Sequence, residues 1–186
     1  MEDKELTIHE ALNLAVRKHN KGELNEAEII YRKILKVDEN NADALHLLGL
    51  IAHQIGKNLD ALDLIKKAIQ IKPNSAIYYG NLGMVYDSLG NEEESVSSFK
   101  RALELNPNYE KAYLAHYNLG IYYMEQGKAE EALKTRLVAH FLGVHIEIPV
   151  VAFFNTDAFG IAMRSNPTQN RAVIELQGRH LARGVD

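Results

Sequence analysis

The chain has 186 residues, of which 46% are hydrophobic and 25% charged, so it has enough apolar material for one or two compact units. Its formal net charge of −4 provides no positive field for a phosphate backbone or an anionic bilayer, so neither nucleic acid nor a membrane is the expected partner. The absence of cysteine excludes disulfides, thiolate catalysis and cysteine-based metal sites.

The first predicted element follows Met1–Thr7. These opening residues lack the basic and apolar regions of a signal peptide, and no apolar run reaches the roughly 18 residues of a membrane span. We therefore expect a soluble, cytoplasmic protein. Residues 8–41 predict a first pair of helices with Gly22 in the turn, although Ala15 stands where later pairs have glycine.

The next two helix pairs repeat with a period of 34 residues, over residues 42–75 and 76–109. The residues that recur in register are Gly49, Gly56, Ala61, Ala68 and Pro73, followed by Gly83, Gly90, Ser95, Ala102 and Pro107. In the first of these pairs, apolar residues at helical spacing in Ala42–Ile55 and Asp60–Ile71 predict the two helices. The glycines after each first helix predict a left-handed turn residue, and the prolines predict the end of each second helix.

Small and bulky residues alternate at the expected helix contacts. Gly49, Ala61 and Ala68 stand where paired helices should cross closely. The bulky residues Leu48, Tyr86 and Phe99 should fill the space between neighbouring helices, because close packing sets large side chains against small ones.

The fourth helix pair, residues 113–140, follows a three-residue insertion. Gly120, Gly127, Ala132 and Ala139 repeat the earlier pattern at a step of 37 residues instead of 34. We assign the insertion to Leu114–His116 and predict a lengthened first helix that begins near Asn108. The second helix departs from the pattern, because Arg136 replaces the large apolar or aromatic residue of earlier pairs.

Residues 141–186 do not follow the repeat. No lysine occurs after Lys134, and the β-branched run Val144–Phe154 has the local preference of a strand, which Pro149 would confine to a sheet edge. Three interpretations stay open for this tail. It is a divergent helical cap, a small separate element that folds on the array, or a foreign sequence from a shifted reading frame or an artificial junction.

The repeated glycine, alanine and proline positions resemble the tetratricopeptide repeat (TPR) family over about residues 8–140. The resemblance implies an all-α fold, an α-solenoid of three to four helix-turn-helix repeats with an atypical C-terminal segment. Leu45–Gln54 also resembles, more weakly, bacterial arrays that precede a glycosyltransferase or sulfotransferase domain.

The first helices of successive repeats should line the inner surface of the solenoid and form a groove for a peptide or helix, as the family resemblance also implies. The candidate groove residues combine apolar side chains with histidine. They are His9, Leu12, Val16, His19, His46, Leu50, His53, Ile77, Asn81, Met84, Asp87, Tyr117, Ile121 and Met124. Leu50 and Met84 have a second interpretation, as ordinary core residues.

One subset of the family grips the terminal carboxylate of chaperone tails with lysine, arginine and asparagine on the inner helices. In this sequence the matching places hold Leu12, Val16, Leu47 and Ile77, and only Asn81 is polar. The cationic grip for a carboxylate is therefore missing, and we do not expect a chaperone-tail receptor.

Catalysis, cofactors and metal binding are not expected. The chain has no glycine-rich phosphate loop, nucleophile elbow or zinc-protease motif. His46 and His53 lie seven residues apart, or about 10 Å along a helix, which is too far for a shared ion. Glu92, Glu93 and Glu94 open a helix, where they favour its dipole and face water.

Three hypotheses for function follow. The first is a non-enzymatic scaffold that binds a protein or peptide in its groove. The second is the non-catalytic targeting region of a larger transferase. The third is self-association, in which the tail of one chain occupies the groove or end surface of another to form a homo-oligomer.

Overall fold

The computed structural model describes residues 6–142, 161–166 and 171–176. The chain divides into two compact units, Met1–Val144 and His145–Asp186.

Residues 6–142 of the first unit form eight α-helices arranged as four consecutive pairs. Neighbouring pairs contact each other through successive helices, as in a solenoid. The helices are α1 (Ile8–Asn20), α2 (Leu24–Val37), α3 (Ala42–Gln54), α4 (Asn58–Ile71), α5 (Ala76–Ser88), α6 (Glu92–Leu105), α7 (Ala112–Glu125) and α8 (Ala129–Phe141).

The turn inside each pair is built around a glycine, as predicted. Gly22, Gly56, Gly90 and Gly127 have φ values of 79°, 78°, 74° and 70°, in the left-handed region. The residue after each glycine donates its backbone N–H to a carbonyl five residues earlier; Lys57, for example, donates to Ala52 at 2.8 Å. This Schellman motif satisfies carbonyl groups that the end of the first helix leaves free.

Small residues let the two helices of a pair approach closely, which confirms the predicted alternation of size. A Cβ atom placed on Gly49 would lie 2.8 Å from Ile65, and one on Gly83 would lie 2.8 Å from the Phe99 ring. Phe99 is only 1% exposed. The buried residues form clusters that each span adjacent helices, so the core runs along the array.

The predicted start of the first helix in the fourth pair is wrong: α7 begins at Ala112 and not near Asn108. The connection before it is longer instead, over residues 106–111. The Asn106 side chain accepts the backbone N–H of Asn108 at 3.0 Å, which favours a turn over a helix at this place. Tyr109 follows, and its buried ring covers Gly80, where an added Cβ would lie 2.6 Å from the hydroxyl oxygen.

In the second unit, the described residues form an antiparallel pair of strands, β1 (Ile161–Asn166) and β2 (Arg171–Leu176). The register pairs Ile161 with Leu176 and Asn166 with Arg171. The helical-cap interpretation is therefore wrong for these residues. The predicted strand at Val144–Phe154 lies outside the described residues.

Candidate functional site

All fourteen candidate groove residues lie on α1, α3, α5 and α7, the first helices of the four pairs. These helices contact one another in sequence, and we call the surface they share the inner face. His9, Ile77, Asp87 and Met124 are exposed on it, whereas His46 and Asn81 are buried. The remaining members are partly buried, namely Leu12, Val16, His19, Leu50, His53, Met84, Tyr117 and Ile121.

His46 and Asn81 join α3 to α5 below the inner face instead of lining it. The Asn81 amide nitrogen lies 2.8 Å from His46 Nε2, so the neutral imidazole accepts its hydrogen bond. The imidazole also stacks on Tyr78, with ring centroids 4.3 Å apart. The Tyr78 hydroxyl donates to Asp43, whose carboxylate lies 3.5 Å from Lys72 Nζ. These contacts form a polar layer that fixes the two helices against each other.

Burial lowers the pKa of His46 to about 4, because the charged imidazolium would lose its hydration. Asp43 acts in the opposite direction, and the positive charges of Lys111 and Lys72, with His19, add to the lowering. The ring is therefore neutral at pH 7, as its hydrogen bond with Asn81 requires.

A simple offset relates the hydrogen bonds that connect successive first helices. His19 with Gln54, Asp43 with Tyr78 and His46 with Asn81 are each 35 residues apart, one more than the repeat period. The His19 and Gln54 atoms are 3.0 Å apart. The sequence contains these pairs at a spacing of 35 residues. Recurrence of the same residue at the repeat period of 34 does not reveal them, because the two partners of a pair differ in type and position.

The apolar candidates fall into two groups. Leu12 and Met84 pack against buried core clusters, which supports the core interpretation for Met84. Leu50 is partly exposed and belongs to none of the described core clusters. The same is true of Val16, Ile77, Tyr117, Ile121 and Met124.

A pocket of about 500 Å³ lies between the third and fourth pairs, where α5, α6 and α7 meet. Its lining includes Tyr117 and Ile121 from the predicted groove, together with Val96, Phe99 and Tyr122. We call it the acidic pocket, because Asp87, Glu92 and Glu125 also line it.

The carboxylates of the acidic pocket repel one another. Desolvation, followed by the nearby Glu125, raises the pKa of Glu92, and Glu93 and Asp87 act in the same direction. Within residues 6–142, no lysine or arginine forms an ion pair with Asp87, Glu92 or Glu125.

The position of Glu92 in the first turn of a helix predicts only a favourable interaction with the helix dipole, and no recurrence of the same residue in the sequence singles out Glu125. The signal that identifies Glu125 is the offset described above, counted from the candidate groove residue Asp87. Asp87 and Glu125 occupy the same repeat positions as His19 and Gln54 two pairs earlier, and the three-residue insertion increases their separation from 35 to 38 residues. Two acids therefore stand where an earlier boundary has a hydrogen-bonded pair.

The described residues contain no group of three or more histidine, aspartate or glutamate side chains placed to hold a metal ion. Nor does that part of the chain contain a helix with the length and apolar character needed to cross a membrane.

Two family models match the chain, and both describe the tetratricopeptide repeat. One matches residues 12–76 and the other residues 76–109. No curated protein matches the chain.

Solved structures with a similar fold include MamA, which is 25% identical over 73% of this chain and 78% of its own, with a TM-score of 0.63. The O-GlcNAc transferase of Thermobaculum terrenum is 32% identical over 62% of this chain, with a TM-score of 0.58; the match spans only 22% of the transferase. PilF of Pseudomonas aeruginosa is 20% identical over 73% of this chain and 61% of its own, with a TM-score of 0.65, and shares the fold.

Proposed function

Because the chain belongs to the tetratricopeptide repeat family, we propose that it is a scaffold whose inner face binds an apolar or amphipathic segment of a partner protein. The observation that carries this proposal is the set of apolar side chains that are on the inner helices but outside the core. Val16, Leu50 and Ile121 are partly buried there, and Ile77 and Met124 are exposed. Burial of one such side chain by a partner contributes roughly 1.5–3 kcal/mol.

The polar layer beneath the inner face supports the same function. His46, Asn81, Tyr78 and Asp43 hold α3 against α5 through hydrogen bonds and ring stacking. A surface that is fixed before binding loses less conformational entropy when a partner arrives. The buried Asn81 amide donates its hydrogen bond to His46, so it is not positioned to bind a terminal carboxylate. A chaperone tail is therefore not the proposed ligand.

Substitution of Leu50 tests the proposed function. A Leu50→Glu variant places a charge on the inner face without removing a member of the described core clusters. We expect it to lose the partners that the immobilised full chain retains from a lysate of the source organism, as measured by quantitative mass spectrometry.

The matched control is Leu59→Glu, which introduces the same charge at a side chain that is 69% exposed on α4, a second helix. It should retain the partners, and both variants should keep the thermal unfolding midpoint of the wild type. Equal retention by all three proteins would remove the inner face as the binding surface.

A second candidate function rests on the likeness to the Thermobaculum terrenum transferase. The matched segment is a small part of that enzyme, so this chain would serve as the targeting region of a larger transferase. A genomic reading frame that continues past Asp186 into a catalytic domain would support this function, and a stop codon there would contradict it.

A further inference from the structure

The acidic pocket differs in its chemistry from the rest of the inner face. Val96 and Phe99 of α6 and Ile121 and Tyr122 of α7 give it apolar walls. Its volume of about 500 Å³ falls within the roughly 300–1,000 Å³ of pockets that bind ligands in proteins. An apolar group of a partner would therefore find both space and contact surface there.

Three carboxylates accompany these apolar walls and come from three different helices. Asp87 lies in the last turn of α5, Glu92 begins α6 and Glu125 ends α7. In the described part of the array, no cationic side chain forms an ion pair with any of them. The pKa of Glu92 is raised first by desolvation and then by Glu125, Glu93 and Asp87, whose negative charges lie close by.

The geometry favours a cationic side chain over a metal ion as the balancing charge. Among the described residues, no three carboxylate or imidazole groups converge closely enough to coordinate a metal. A lysine or arginine reaches from a partner backbone along its own apolar stem and needs only one or two carboxylates for charge-assisted hydrogen bonds.

We propose that the acidic pocket is the docking site for a partner segment that carries an apolar side chain beside a lysine or arginine. This proposal rests on the proposed function, since it specifies the chemistry of the segment that the inner face receives. The apolar side chain enters between α6 and α7, and the cation lies against Glu92 and Glu125. Charge complementarity of this kind selects the partner and its orientation.

The test uses two fluorescein-labelled synthetic helices of 18 residues, followed by fluorescence anisotropy with the full chain. One probe contains leucine and lysine at amphipathic spacing, and the other has glutamate in place of every lysine. We expect the lysine probe to bind at least tenfold more tightly than the glutamate probe. Equal affinity for the two probes, or no binding of the lysine probe, would overturn the proposal.

Variants of the chain distinguish binding at the acidic pocket from non-specific attraction between the cationic probe and the acidic chain. The double variant Glu92→Gln with Glu125→Gln should weaken binding of the lysine probe about tenfold. The matched control, Asp60→Asn with Asp63→Asn, removes two exposed charges from α4 and should change affinity less than twofold. Equal losses in both double variants would mean non-specific attraction and would overturn the proposal.

Two further measurements complete the design. If Leu50→Glu abolishes probe binding while the pocket variant does not, the inner face binds and only the pocket proposal fails. Light scattering of the wild type and the pocket variant detects a second copy of the chain as occupant; a lower mass for the variant would assign the pocket to self-association and overturn the proposal. Circular dichroism melting confirms that each variant is folded.

Discussion

At the scale of single residues, helical periodicity predicts which face a side chain is on but not how deep it lies. All fourteen candidates are on the inner helices, yet His46 and Asn81 are 4% and 2% exposed. Their depth depends on a contact between helices of different repeats, which a single helix pattern does not contain. The hydrogen bond between them provides the physical reason, because a buried imidazole needs a partner.

Acidification should destabilise the array through His46. The ring has a pKa of about 4 in the folded protein, against about 6.5 in an unfolded chain. Between these values the unfolded chain binds a proton that the folded protein does not, so stability is complete above pH 6.5 and falls as the pH decreases. From pH 7 to pH 5 this group alone should remove about 2 kcal/mol from the free energy of unfolding, measured by urea denaturation.

His46→Gln is the control for this prediction. Its amide oxygen can still accept from Asn81, but it does not titrate. The variant should therefore lose about 2 kcal/mol less than the wild type between pH 7 and pH 5, while carboxylate titrations affect both proteins equally. Identical pH dependence would show that His46 is not the responsible group.

At the scale of helices and turns, the repeat predicted most of the architecture. The glycines at the turns and the small residues at helix crossings have the roles that their spacing indicated. The start of α7 was not predictable in this way. It depends on the local turn at Asn106 and on the burial of Tyr109 over Gly80, a contact between distant residues.

Alanine substitutions at the helix crossings should have unequal effects. A Cβ on Gly83 would lie 2.8 Å from two atoms of the Phe99 ring, which is buried and rigid, so Gly83→Ala should cost about 1–3 kcal/mol. At Gly120 the clash is with the aliphatic part of Arg136, which is partly exposed and has more rotamers. Urea unfolding should show a clearly smaller loss for Gly120→Ala, and the reverse order would contradict this account of the packing.

At the scale of the whole molecule, the repeat predicted the helical array, while the tail followed no pattern that would decide among its alternatives. The described strands Ile161–Asn166 and Arg171–Leu176 belong to a separate compact unit. Local β-preference indicated a strand elsewhere, at Val144–Phe154. Without a repeat to fix the register, composition alone could not locate the hairpin.

Removal of the second unit should leave the array folded. Each helix pair packs on its neighbours within Met1–Val144, so a chain that ends at Val144 should retain the helical circular dichroism signal and unfold within about 3 °C of the full chain. Loss of the cooperative transition would show that the array needs the tail. Light scattering of the same two proteins tests self-association, since a smaller oligomer after truncation would place the contact in the tail.

The boundary between the third and fourth pairs lacks the hydrogen bond between first helices that the two earlier boundaries have. Hydrogen bonds between side chains join α1 to α3 and α3 to α5, but within residues 6–142 none joins α5 to α7, where Asp87 and Glu125 line the acidic pocket. Apolar packing holds this boundary instead, because one buried cluster runs from Ala76 of α5 through Phe99 of α6 to Leu119 of α7. In the proposed complex, a partner's lysine or arginine against Glu92 of α6 and Glu125 of α7 would supply the polar contact between the third and fourth pairs that the chain itself does not make.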